Sequence, residues 1–171
     1  MPNQAYVQTM ARYNLWQNEN LITAADTLSA AERLQDRGAF FGSINATFSH
    51  LYWGDMIWLS RFAGTPAPTT GIPQSTGFAD DWQAFKTDRK AFDLRILKWA
   101  HEVTPDWFQG DLSWFSGAIG QDVTKPKTTL AMQLFNHQTH HRGQIHAMLT
   151  AAGARPQDTD LPFMPNEYLT M

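Results

Sequence analysis

The sequence predicts an all-α protein folded as a four-helix bundle. Two observations support this prediction: four long segments carry apolar residues at helical spacing, and the segments between them are rich in proline, glycine, serine and threonine. The chain has 171 residues, of which 43% are hydrophobic, so we expect a single domain over residues 1–171 with a sizeable core. Bundles of this kind often bind metals between facing helices.

The first half of the chain contains two of these helices. The first is expected over about residues 4–28, and Ser29–Glu32 is typical of a capping box that opens a short helix. Ser43 suits the N-cap of a second long helix that reaches about Phe62. Residues 63–79 show no helical period. We expect a long surface loop there, of the kind that often borders a functional site.

The second half contains the other two long helices and an irregular insert between them. The third helix is expected over about residues 80–103. Glycines interrupt residues 106–125, where we expect irregular structure or a short β-hairpin. Pro126 suits the first turn of a fourth helix running to about Ala152, and Gly153 suits the position after its end.

Composition excludes several classes of function. The net charge is −3 and the pI is about 6.0, so no basic surface for nucleic acid is expected. No cluster of Lys or Arg suits an anionic membrane surface, and no apolar run approaches the ~20 residues of a membrane span. The first residues do not resemble a signal peptide, and we expect a cytoplasmic protein. There is no cysteine, so any metal must take N or O ligands and any thiol chemistry needs an external thiol.

A histidine pair in the fourth helix is the strongest functional feature. His137 and His141 are four residues apart, so they lie on one helix face, one turn apart. His141 falls within the apolar stripe of that helix and His137 at its edge, whereas His140 and His146 fall outside it. Two imidazoles buried together either form hydrogen bonds with core groups or share a divalent cation. The pair alone leaves both interpretations open.

A third imidazole favours the metal interpretation. His50 lies at the margin of the apolar arc of the second helix, and Gly54, one turn later, is expected to leave room beside it. Three neutral imidazoles without a thiolate suit Zn, Ni, Fe or Cu, and three protein ligands leave a coordination position open. The segment His137–His141 has Gln where a zinc peptidase needs the Glu of His-Glu-x-x-His, so peptidase activity is not expected.

Other polar residues near the pair have alternative roles. Gln144 lies close to the histidine face and is a pocket candidate that could orient a ligand, or it could pack against a neighbouring helix. Asn14 is a second pocket candidate, or one of the many Asn residues on helix surfaces. Arg142 lies ~140° from His137 on a helical wheel, so it would serve a carboxylate, a subunit partner or an anion.

Two further expectations concern exposed and cleft-lining positions. The charged run at residues 86–90 is expected to face water, and Trp53 and Trp114 are expected near the mouth of the site.

These motifs together resemble those of the DinB family, also called DinB/YfiT-like metalloenzymes. The similar segments are Tyr13–Asn18, His50, Asp55–Arg61 and the block His137-x-x-x-His141-Arg142-Gly143-Gln144. The resemblance implies an up-down-down-up bundle, a homodimer, and a divalent metal on His50, His137 and His141. Zn or Ni would be the first expectation for that metal, with Fe or Mn as alternatives.

The resemblance also implies a class of chemistry. Similar proteins include metal-dependent thiol S-transferases and a thiol-dependent isomerase, so we expect transferase or isomerase chemistry with a low-molecular-weight thiol as co-substrate. The alternatives are a metal-dependent hydrolase and a non-catalytic, stress-related metal-binding or interaction protein. The sequence offers no evident general acid or base.

Overall fold

The computed structural model describes all 171 residues and confirms the all-α fold with one small hairpin. The helices are α1 (Gln4–Ala25), α2 (Ala30–Leu34), α3 (Ile44–Ala63), α4 (Trp82–Glu102), α5 (Lys127–Ala151) and α6 (Asn166–Leu169), and the hairpin strands are β1 (Asp111–Ser116) and β2 (Gln121–Pro126). None of the helices has the length and apolar character needed to cross a bilayer.

The helix ends follow the signals in the sequence. Ser29 and Glu32 form the expected capping box at the start of α2, and the Ser43 hydroxyl accepts a hydrogen bond from the amide of Ala46 at the start of α3. Pro126 lies one position before the first residue of α5 rather than within its first turn. Gly153 has φ +87°, the left-handed backbone expected just after a helix end.

The four long helices run up-down-down-up. α1 is antiparallel to α4 and parallel to α5, while α3 is parallel to α4 and antiparallel to α5. The pairs that establish these directions are Gln4 with His101, Asn18 with Asp93, Tyr6 with Phe135, Asn14 with Arg142, Phe48 with Phe85, Phe62 with Trp99, His50 with His141, and Asp55 with Gln138.

The bundle core consists of two apolar clusters with a layer of polar side chains between them. One cluster lies around Leu15, Leu59 and Phe92, and the other around Leu21, Leu51 and Phe85. We call the buried polar side chains between them the polar layer; its members are Asn14, Asn18, Asp55, Arg89, Asp93, Gln138 and Arg142.

Hydrogen bonds join the polar layer across all four long helices. The Arg89 guanidinium donates to Asp55 Oδ2 at 2.7 Å and to Asp93 Oδ1 at 2.6 Å. Gln138 donates to Asp55 Oδ1 at 2.9 Å, and Asn14 donates to Asp93 Oδ1 at 2.7 Å. The expectation that the whole run 86–90 faces water is therefore wrong for Arg89. Its side chain is buried because it extends to the carboxylates of Asp55 and Asp93.

The long loop between α3 and α4 is attached to the face of α3 that carries His50. Asn45 donates to the carbonyl of Ala79, and the Ser49 hydroxyl accepts from the amide of the same residue. Trp53 Nε1 donates to the carbonyl of Thr70 at 2.8 Å. These bonds hold the loop over the first half of α3.

Candidate metal centre

Three histidines from two helices converge at the level of the polar layer. His50 on α3 and His137 and His141 on α5 each place a ring nitrogen within 4.8 Å of the other two. The Nε2 atoms of His137 and His141 are 3.2 Å apart. The antiparallel packing of α3 against α5 brings His50 to this pair, with its ring centroid 4.9 Å from that of His141.

The outer nitrogens of two of these rings have hydrogen-bond partners. His141 Nδ1 is 2.8 Å from Gln144 Oε1, and His50 Nδ1 is 2.9 Å from Ser75 Oγ. Because an amide oxygen only accepts, His141 carries its proton on Nδ1 and directs the lone pair of Nε2 to the centre. His137 Nδ1 is buried and has no partner.

The residues present suit a divalent metal. Burial is the main cause that lowers the pKa of His137 to about 3 and that of His50 to about 4, with the neighbouring imidazoles adding to it, so both rings are neutral at pH 7. Neutral imidazole is the form that binds a metal. The 3.2 Å between the Nε2 atoms of His137 and His141 is close to the ~3.3 Å expected for two ligands at ~2.05 Å from a tetrahedral ion.

Gly54 leaves space for a histidine ring, but for His137 rather than for His50. A Cβ atom at position 54 would lie 2.6 Å from His137 Cε1. Any side chain there would therefore displace the ring.

Aromatic side chains form a wall beside the histidines. The Phe41 ring stacks on His50 with 4.0 Å between centroids and lies 5.5 Å from His141. The Trp53 ring stacks beside that of His50 with 6.0 Å between their centroids, so it lies near the site as expected. Trp114 instead packs against Trp58, ~2 turns further along α3 from His50, because the β-hairpin that carries it folds onto that end of the bundle.

The two pocket candidates have different positions. Gln144 contacts the centre through His141. Asn14 has no exposed surface and lies in the polar layer, where it donates to Asp93 and accepts from Arg142, so it contacts none of the three histidines. Its expected place in the cleft is wrong, because its face of α1 points to α4 and α5.

Sequence reasoning missed the contributions of Ser75 and Phe41. Ser75 lies in the 63–79 loop, which was expected to border a site, but no local pattern distinguishes it from the loop's other hydroxyl residues. Phe41 lies in the short segment between α2 and α3, where no period predicts which side an aromatic ring faces.

Comparisons with known proteins identify the family of this chain. The protein named Protein DinB of Bacillus subtilis (strain 168) is 26% identical to this chain over 157 residues, which is 86% of this chain and 87% of that protein. No solved structure gives a significant match. The model of the DinB family matches residues 1–168, nearly the whole length. The chain belongs to the DinB family.

Proposed function

We propose that this protein is a metalloenzyme that binds one divalent metal ion through Nε2 of His50, His137 and His141. The observation that supports this is the approach of three neutral ring nitrogens to within 4.8 Å, from two helices, in a partly buried position. Zn or Ni suits this donor set best, with Fe or Mn as alternatives.

Three protein ligands leave coordination positions for water or substrate, as in catalytic rather than structural sites. When bound, a divalent ion would supply the charge that lowers the pKa of an incoming thiol. Phe41 and Trp53 would exclude water and offer flat faces to an apolar electrophile, while Gln144 and Ser75 keep two imidazoles oriented. Thiol-dependent transfer or isomerisation, with an external low-molecular-weight thiol, is the reaction class we favour.

Metal binding is tested by titrating the metal-free protein with Zn²⁺, Ni²⁺, Fe²⁺ and Mn²⁺. We expect one ion per chain and the loss of binding in His50→Ala, His137→Ala and His141→Ala. His140→Ala and His146→Ala are matched controls, because these residues lie on the same helix outside the triad. Equal affinity in the ligand variants and the controls would exclude this site.

The reaction class is tested by assaying the metal-loaded protein with small thiols and electrophiles. Thiol-dependent turnover that His141→Ala abolishes is the expected result. Turnover without a thiol would indicate a metal-dependent hydrolase instead.

A non-catalytic role is favoured by one observation: the protein partners of the three rings are Ser75 and Gln144, with no carboxylate that could act as a general base. No turnover under any of these conditions would support that role.

We also expect a homodimer, because the family resemblance implies it, and a cytoplasmic location stays an expectation from the sequence. Light scattering of the purified protein measures the oligomeric state directly.

A further inference from the structure

Arg142 is a buried cation without a carboxylate partner. It is 5% exposed, and no Asp or Glu oxygen lies within 4.0 Å of its guanidinium. Arg89, the other arginine of the polar layer, contacts two carboxylates. Removing a charge from water is costly unless other groups compensate it, so the surroundings of Arg142 require an explanation.

The protein groups around Arg142 satisfy only part of its guanidinium. It donates to Asn14 Oδ1 and, at 3.4 Å, to Thr139 Oγ1. The Tyr13 ring lies 5.3 Å from its central carbon. No protein acceptor meets its remaining N–H groups.

A cavity of about 240 Å³ lies beside Arg142, between α1 and α5. Its wall includes Tyr13, Gln17, Thr139, His146 and Thr159, and it contains no acidic residue. None of the three histidines of the metal centre lines it. Arg142 is the one permanently charged residue in this wall, so it offers an anion in the cavity a cation to pair with.

We propose that this cavity binds a small oxyanion, a carboxylate or phosphate group, through the guanidinium of Arg142. The planar fork of a guanidinium matches both of these groups. The volume lies below the ~300–1,000 Å³ of ordinary ligand pockets, so it fits a small ion or the end of a small molecule.

Charge balance gives Arg142 a competing structural role. The polar layer contains two aspartates and two arginines. Arg142 is linked by hydrogen bonds to Asp93 through Asn14, and the charges of Asp55 and Asp93 also act on it across the layer. If these interactions are its whole purpose, no external anion is needed. The test must therefore detect the anion itself on the intact protein.

The direct test is an NMR titration of the ¹⁵N-arginine-labelled wild-type protein with sodium phosphate, sodium acetate and sodium chloride at matched ionic strength. We expect a saturable shift of the Arg142 Nε–H resonance with phosphate or acetate and not with chloride. Saturation by one oxyanion and not the other identifies the group. A response that is linear in concentration, or equal for chloride, overturns the proposal and leaves Arg142 as a structural counter-charge.

Two variants give an independent readout. Arg142→Lys keeps the charge but loses the fork, so the affinity for the oxyanion should fall at least ~10-fold. His146→Gln changes a half-buried residue of the cavity wall with little risk to the fold. The Arg142 resonance should still shift to saturation in this variant, with a changed affinity for the oxyanion. Arg155→Lys is the matched control, because Arg155 lines a different cavity. Unchanged affinity in both Arg142→Lys and His146→Gln would contradict the assignment of this cavity.

Discussion

Gly54 is the residue at which α3 makes room for His137. The substitution Gly54→Ala places a methyl group 2.6 Å from the His137 ring carbon Cε1, so that ring must leave its position beside Gly54. Helix propensity alone would raise stability by ~1 kcal/mol, because alanine is favoured over glycine within a helix. We therefore expect metal affinity to fall at least ~10-fold without a matching gain in stability, measured by metal titration and chemical denaturation.

Gly143→Ala is the control for this substitution. Gly143 is also within a long helix, and a Cβ atom there would have no neighbour within 4 Å. Its variant should gain ~0.5–1 kcal/mol of stability and keep its metal affinity. If Gly54→Ala behaves in the same way, His137 does not need the space that Gly54 leaves.

Gln144 determines which nitrogen of His141 faces the centre. Gln144→Leu removes the acceptor of the Nδ1 proton, so we expect a 10–100-fold loss of metal affinity, the approximate range for such partners. Gln144→Glu keeps an acceptor and should retain most of the affinity. Competition with a chelator measures both. A loss of equal size in the two variants would mean that the acceptor is unimportant.

The residues of the centre differ in how far spacing alone predicts them. His137 and His141 follow from a four-residue interval on an amphipathic helix, and their 3.2 Å contact confirms their common face. Ser75 and Phe41 reach the same centre from loops, where backbone direction depends on tertiary bonds such as that of Trp53 to Thr70. A periodic pattern contains no information on such contacts.

Among the secondary-structure elements, α4 contains two ion pairs of equal spacing and opposite exposure. Arg89 and Asp93 are paired at 2.6 Å with 1% exposure each, whereas Lys98 and Glu102 are 3.7 Å apart and 72% and 65% exposed. Removing one partner of a buried pair leaves an uncompensated charge, whereas solvent screens the exposed pair.

Asp93→Ala should therefore lower the free energy of unfolding by ~3–5 kcal/mol. Glu102→Ala, the control at the same i,i+4 spacing, should change it by no more than ~0.5 kcal/mol. Urea denaturation of both variants measures this difference. Similar small changes in the two would show that the polar layer is not required for the fold.

The positions of the helices are predicted well from the sequence, because helix caps and the regular spacing of apolar residues are local signals. Ser43 and the Ser29–Glu32 box mark the start of α3 and α2 as expected. The polar layer does not follow from residue type, because charged side chains usually face solvent, whereas Arg89 lies on the same face of α4 as Phe85 and Phe92. Arg89 is buried because Asp55 on α3 and Asp93 on α4 both compensate its charge.

In the molecule as a whole, the imidazoles link the candidate metal centre to folding stability. Burial keeps His137 and His50 neutral, with pKa values of about 3 and 4, whereas an unfolded chain titrates near 6.5. Between these values the unfolded state binds more protons than the native state. The free energy of unfolding therefore rises with pH over this interval and falls as pH drops below about 6.5.

His137→Gln isolates this effect in the metal-free protein. The wild type loses stability on acidification because its unfolded chain binds a proton at His137, which the variant lacks. Between pH 8 and pH 5 the free energy of unfolding of the wild type should therefore fall by ~1–2 kcal/mol more than that of the variant. Urea denaturation at several pH values measures it. His101→Gln, which removes an imidazole on α4 away from the three rings, is the control. A wild-type curve parallel to that of His137→Gln would mean that the His137 ring titrates normally in the native state. The ring would then not be held in the buried contact with His141 on which the proposed metal site depends.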